Sequence, residues 1–164
     1  MAQKILTQEY LQSLFDYREG KLYWKNISKF HHQLKNKEAG GLNNNGYIRI
    51  KIDNKKYAAH RLIFLYHHGY LPEFVDHIDT NKSNNRIENL REATRSQNQW
   101  NKPIPAKNKT GVKNVSFIQL KNKYMVRLSV NTKELFFGYF EDLELADLVA
   151  QEARDKYHKE FARN

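Results

Sequence analysis

Asp76 and His77 stand side by side after a short apolar approach, and Asn89 and then Asn98 follow in an asparagine-rich stretch. This set suits phosphodiester hydrolysis. That reaction needs a base to activate water, a divalent cation to stabilise charge on the phosphate and leaving oxygen, and a group that orients the base. A neutral imidazole is a suitable base near neutral pH. Asp and Asn oxygens suit Mg²⁺, which prefers oxygen donors and keeps several waters. One carboxylate plus one amide is a sparse set, fitted to a cation whose other ligands are water and a substrate phosphate. Asn-rich loops also serve to cap turns and helices, so residue types and spacing alone leave both roles open.

Charge narrows the class of partner. The chain has 164 residues, with 28 Lys and Arg against 18 Asp and Glu, for a formal net charge of +10. A basic balance of this size points to an acidic polymer, nucleic acid above all. The charge is unevenly spread. Residues 1–102 carry 17 basic and 10 acidic side chains, residues 103–133 carry seven basic and none acidic, and residues 134–164 carry four basic and eight acidic. The absence of cysteine excludes a disulfide framework, a thiolate zinc site, an iron–sulfur cluster and a cysteine nucleophile. The hydrophobic fraction of 40% is enough for a folded core. No run approaches the about 18 consecutive apolar residues of a membrane span, and the start lacks the apolar stretch of a secretory signal. A soluble, cytoplasmic protein is expected.

The elements that must position the candidate residues can be read from periodicity. Residues 7–15 predict a short helix capped by Thr7, with Tyr10, Leu11 and Leu14 on one side. Residues 22–24 predict a strand, 27–37 a basic loop able to touch nucleic acid, and 40–46 a turn of Gly and Asn. The run YIRIKI alternates, with Ile48, Ile50 and Ile52 on one side; Asp53 and Asn54 make the turn of a hairpin. Residues 60–69 predict a buried helix that Gly69 and Pro72 end. Leu90, Ala93 and Thr94 at helical spacing place Asn98 near the end of a helix packed back on Asp76. Trp24 and Trp100 are expected in the core. KPIPAKNK at 102–109 reads as a stiff, charged linker. Beyond it the pattern is strand, strand, strand, helix. The helix spans 141–159, its apolar stripe formed by Leu145, Ala146, Val149, Ala150, Ala153 and Tyr157, and its end charges complement the macrodipole. A three-stranded sheet over one helix leaves a sheet face open, and that face is expected to draw on the acid-free segment.

The run from Asp76 to Asn98, with the lead-in NNNGYIRIKIDNKKYAAHRLIF and the closing NNRIENLREATRSQN, resembles the HNH (ββα-metal) nuclease motif in the form found in phage homing endonucleases. The resemblance implies that Asp76 and Asn98 bind a single divalent metal, Mg²⁺ or alternatively Mn²⁺, and no zinc. It implies that His77 is the general base and that Asn89 orients His77 and braces the loop. Asn98 replaces the second histidine of the family name. Arg61 would hold a phosphate near the cut, and His60 would make a structural hydrogen bond. Residues 110–164 resemble an AP2 domain, through Gly111-Val112, Phe137-Gly138-Tyr139-Phe140 and the Ala-rich helix ending in HKEFARN. In that family the sheet lies in the major groove of DNA. Thr110 stands where Arg is usual and Phe136 where Trp is usual, so the target sequence does not transfer. The candidates for a DNA face are Lys113, Asn114, Ser116, Lys123, Arg127, Ser129 and Lys133.

The expected fold class is α+β: an HNH nuclease domain at 1–102, a linker at 103–109, and an AP2-like domain at 110–164 with a three-stranded antiparallel sheet packed on one helix. The expected function is site-directed cleavage of double-stranded DNA by a monomer or homodimer, with no membrane and no obligate protein partner, in the host cytoplasm if the gene is a phage's. The rival expectation is a non-catalytic DNA-binding regulator that retains the HNH scaffold.

Overall fold

In the computed structural model, which describes residues 6–25 and 32–162, Thr7 opens the first helix by accepting a hydrogen bond from the Tyr10 amide at 3.2 Å. Helix α1 (Gln8–Leu14) buries Leu11. The basic loop expected over 27–37 lies partly outside the described residues.

Strand β1 (Phe15–Arg18) pairs antiparallel with β2 (Lys21–Trp24). The sequence reading passed over β1 because Asp16 and Arg18 interrupt its apolar signal; pairing with β2, and Phe15 in the core, make it a strand. Glu19 and Gly20 connect the two strands with φ of 46° and 85°. Two successive positive φ values suit a two-residue hairpin turn, whose twist matches that of the strands. Gly20 has a second constraint: a Cβ there would lie 2.7 Å from the Arg86 backbone nitrogen and 2.9 Å from the Asn85 carbonyl carbon.

Strands β3 (Gly41–Leu42), β4 (Ile48–Ile52) and β5 (Lys55–Ala58) form a sheet in that spatial order. Asp53 and Asn54 turn the β4–β5 hairpin with φ of 46° and 65°, and the Tyr10 hydroxyl donates to Asp53 at 2.7 Å. Ile50 and Ile52 are buried while Arg49 and Lys51 are exposed, the alternation of a half-buried strand. Helix α2 (Ala59–His68) follows β5 directly and ends at Gly69, which is left-handed with φ 75°. It sinks Leu62, Ile63, Phe64 and Leu65 into one core with Leu11, Phe15, Leu22, Ile50, Val75 and Leu90. Each such side chain contributes about 1.5–3 kcal/mol by leaving water.

Strand β6 (Phe74–His77) pairs antiparallel with β7 (Leu90–Ala93). The helix expected to run through Leu90 and Ala93 does not form there. Leu90 lies opposite His77 and Ala93 opposite Phe74, so strand pairing overrides the local helical spacing. Helix begins only at α3 (Arg95–Trp100), where Thr94 and Gln97 form a reciprocal capping box.

The chain divides into two compact units, 1–93 and 94–164. The division falls ahead of the linker expected at 103–109, because α3 packs within the second unit. Trp100 stacks on His158 with ring centroids 4.2 Å apart and planes 8° apart, and Lys113 Nζ donates to the Trp100 carbonyl.

In the second unit β8 (Val115–Ile118), β9 (Lys123–Val130) and β10 (Lys133–Phe140) form an antiparallel sheet with β9 central. Asn131 and Thr132, with φ of 46° and 72°, close the β9–β10 hairpin, and the register shifts between Phe136 and Gly138 in a bulge. Helix α4 (Leu143–His158) is capped by Asp142, whose carboxylate accepts from the Glu144 and Leu145 amides. Ala146 and Ala150 pack with Val115 and Val126 in the second core. Leu145, expected in the buried stripe, is 50% exposed; the buried positions are Ala146, Ala150, Ala153, Arg154 and His158. Arg154 is held inside by donating to the Lys113 carbonyl at 2.8 Å. The fold class is α+β, as expected. No helix among the described residues is long and apolar enough to cross a membrane.

Candidate active site

The β6–β7 ribbon places Asp76 directly opposite Arg91. Arg91 Nε and Nη2 each lie 3.0 Å from Asp76 Oδ2, and the two side chains are largely shielded from water. A carboxylate this buried is sustained by a paired, hydrogen-bonded cation. His77 ends β6 and is also buried. Its Nε2 lies 2.9 Å from Asn85 Oδ1. Its ring meets His60 edge to face at 4.9 Å and Tyr47 at 6.2 Å. Burial pushes the His60 imidazole down to about 3, with help from the positive charges available to His77, Arg61 and Arg49. His60 is therefore a neutral ring against His77. Lys82 covers the Tyr47 ring at 5.0 Å and donates to the Asn45 carbonyl at 3.2 Å.

The loop between the strands is held by amides. Asn89 Nδ2 donates to Asp79 Oδ1 at 2.9 Å and to the Asn84 carbonyl at 2.8 Å. Asn89 Oδ1 accepts from the Asp79 backbone at 3.0 Å. Asp79 accepts further bonds from Asn84 Nδ2 and the Asn81 amide. Burial raises the Asp79 carboxyl, but these bonds from Asn84, Asn89 and Asn81, with the nearby His77, outweigh it and hold the carboxyl below its ordinary value. Asn89 thus braces the loop. The side chain that meets His77 Nε2 is Asn85, which the sequence reading missed. In sequence Asn85 is one of many asparagines in a turn-rich stretch, and only the folded register distinguishes it.

Arg61 is tied into the fold by donating Nη1 to the Glu73 carbonyl at 2.8 Å. Asn98 lies on α3, half-buried, in the second unit. Among the described residues no group of three or more His, Cys, Asp and Glu converges. The residues expected to bind a cation offer instead one carboxylate, Asp76, and one amide oxygen, Asn98. Their chemistry fits a hard divalent cation that keeps most of its water and takes substrate phosphate as a ligand.

In the second unit β8 and β10 flank β9, and the face turned from α4 is open. Arg127 and Ser129 are exposed on it, and Ser116 is exposed opposite Met125. Lys123 ion-pairs with Glu141 at 3.1 Å. Phe136 and Tyr139 lie exposed on β10 with rings 5.1 Å apart, and Lys121 covers the Tyr139 ring at 3.8 Å. Two expected members of this face lie before β8 instead. Lys113 spends its ammonium on the Trp100 carbonyl, and Asn114 is a left-handed turn residue with φ 67° and a buried side-chain oxygen. Lys133 pairs with Val130 at the hairpin end, in the opposite register from Arg127. The open face is also not free of acid. Glu134 sits opposite Ser129 and ion-pairs with Arg127 at 3.2 Å.

Residues 57–100 match the family described as HNH endonuclease. The chain is 30% identical to Protein 3.8 of Escherichia phage T7 over 97 residues, covering 58% of this chain and 79% of that protein. It is 44% identical over 78 residues to an uncharacterized HNH endonuclease of Acanthamoeba polyphaga mimivirus, covering 46% of this chain and 41% of that protein. No solved structure matches the chain.

Proposed function

The chain belongs to the same family as Protein 3.8 of Escherichia phage T7 and carries an HNH endonuclease domain over residues 57–100, and on that premise we propose that it is a site-directed, metal-dependent endonuclease of the homing type acting on double-stranded DNA. The observation that carries the reading is His77, buried at the end of β6 beside Asp76 and followed by a loop that Asn89 cross-braces.

In this reading the His77 imidazole takes the proton of the attacking water. Neutral His60 packs against the ring without adding charge, and Asn89 keeps the loop after His77 in shape. Asp76 and Asn98 are the residues that would hold the cation, Mg²⁺ or Mn²⁺. When bound, the cation stabilises negative charge on the phosphate and the leaving oxygen. The Asp76 carboxylate stays ordered through Arg91. Arg61, with its guanidinium anchored on the Glu73 backbone carbonyl, is the candidate on α2 for a phosphate.

The second unit, read as an AP2-like module, supplies affinity for the DNA backbone through the open face that bears Ser116, Arg127 and Ser129. Such contacts release counterions, so binding weakens steeply with salt. One set of catalytic residues per chain makes a nick the product of a monomer and a double-strand break the product of a homodimer.

The test is His77→Ala on supercoiled plasmid DNA with Mg²⁺. Loss of a general base lowers cleavage by at least about 10²-fold, while DNA affinity in a gel-shift assay stays the same. Equal cutting by variant and parent discards the base. Tight binding by the parent with no cutting under any divalent metal supports the regulator reading instead.

A further inference from the structure

We infer that Asn85 is a positioning residue that locks His77 in the tautomer carrying its proton on Nε2. The inference rests on the reading of His77 as the base. An imidazole has one donor and one acceptor nitrogen when neutral, and the partner of one nitrogen decides the role of the other. Asn85 Oδ1 can only accept, so at 2.9 Å it requires a proton on His77 Nε2. The lone pair of the neutral ring then resides on Nδ1.

Three observations show that Asn85 is held in place for this contact. It is 1% exposed, and its own Nδ2 is buried with no hydrogen-bond partner among the described residues. A buried unsatisfied donor costs free energy, so its retention calls for a reason at the other end of the amide. The backbone around it is clamped by the β1–β2 hairpin. The Tyr17 hydroxyl accepts from the Ile87 amide at 3.0 Å, and Glu19 pairs with Arg86 at 3.3 Å. Gly20 presses so closely on the Asn85–Arg86 peptide that no side chain fits between them. The N-terminal hairpin, remote in sequence from the candidate base, thus sets where the Asn85 amide lies.

The experiment is ¹⁵N NMR of the histidine ring nitrogens in the full chain. It is run at about pH 8.5, above the ordinary imidazole range. The signal of His77 is identified among the seven histidines by its loss in His77→Gln. In the parent, His77 shows a protonated Nε2 and a bare Nδ1. In Asn85→Leu the ring becomes a mixture of tautomers, and plasmid cleavage falls by about tenfold or more at unchanged DNA affinity. Asn85→Asp keeps an acceptor against Nε2, retains the tautomer and restores most of the cleavage. A His77 ring protonated on Nδ1 in the parent, which needs no folded variant to observe, overturns the inference. So does an unchanged tautomer in Asn85→Leu, even with cleavage reduced, because the role would then be structural only. Failure of the base reading looks different: His77→Ala cuts like the parent, whatever the tautomer.

Discussion

Asn89 and Asp79 hold each other at both ends. The Asn89 amide donates to the Asp79 carboxylate at 2.9 Å and accepts from the Asp79 backbone at 3.0 Å, closing a ring across the β6–β7 loop. A third bond, to the Asn84 carbonyl, extends the brace. Asn89→Ala removes all three and leaves their partners to water, since this loop is partly exposed. The expected loss is about 2 kcal/mol in urea unfolding, with the charged acceptor discounted for solvent screening. A loss below about 0.5 kcal/mol, the size of an ordinary surface substitution, shows that the loop is held elsewhere. The Asp79 carboxyl titrates below its ordinary value of 3.8. Its contribution is therefore present above that pH and is lost as pH falls further through the folded value. The parent's stability should drop more steeply than that of Asp79→Asn below about pH 4.

Gly20→Ala tests the hairpin that supports the other side of the loop. The residue has φ 85°, and a methyl group there would sit 2.7 Å from the Arg86 nitrogen. Backbone rather than a flexible side chain is the obstacle, so the Asn85–Arg86 peptide must move. Strain of this kind costs about 1–3 kcal/mol. The variant should unfold at lower urea and cut DNA more slowly, although residue 20 bears no group for chemistry. A variant as stable as the parent excludes the close approach.

Much of the first unit was legible in the sequence because local signals and tertiary packing agree there. Thr7 caps, Ile48, Ile50 and Ile52 alternate, Asp53 and Asn54 turn, and Gly69 ends α2, each as its residue type dictates. Residues 90–93 were misread because Leu90 and Ala93 fit a helix spacing, whereas their burial comes from pairing with β6. Leu145 was misread because a leucine on a helix is a poorer guide to the buried side than the alanines that let α4 approach the sheet. In the site, the adjacency of Asp76 and His77 was visible at once. Asn85 was not, because a buried acceptor and a solvated turn asparagine have the same letter. Glu134 was missed because a charge census by segment does not see that β10 brings an acid beside Arg127.

His60 makes a pH prediction. Its folded value is pushed down to about 3 from 6.5, by burial first and then by His77, Arg61 and Arg49. The unfolded chain therefore binds this proton first as pH falls. The native state loses stability between about pH 6.5 and pH 3 and keeps it above that window. His60→Phe removes this titration while retaining a ring against His77 and Tyr47. Its urea midpoint should change less between pH 7 and pH 4.5 than the parent's. Parallel curves for the two proteins place the acid sensitivity in other groups.

Arg127 and Glu134 decide whether the open face of the second unit is the DNA face. Both side chains are about half exposed or more, so their pairing at 3.2 Å adds little to stability. On DNA the same pairing matters, since Glu134 repels phosphate and engages the guanidinium. Glu134→Gln should leave the urea midpoint unchanged and tighten DNA binding by about threefold to tenfold at low salt. The slope of log affinity against log salt should steepen by about 1, the signature of one more phosphate contact. Arg127→Ala should weaken binding and flatten the slope by about 1. Lys113→Ala supplies the contrast, because its ammonium is engaged by the Trp100 carbonyl. Its loss should appear in the unfolding curve and leave the salt slope alone. If Glu134→Gln and Arg127→Ala both leave affinity and slope unchanged, DNA contacts the protein through another surface.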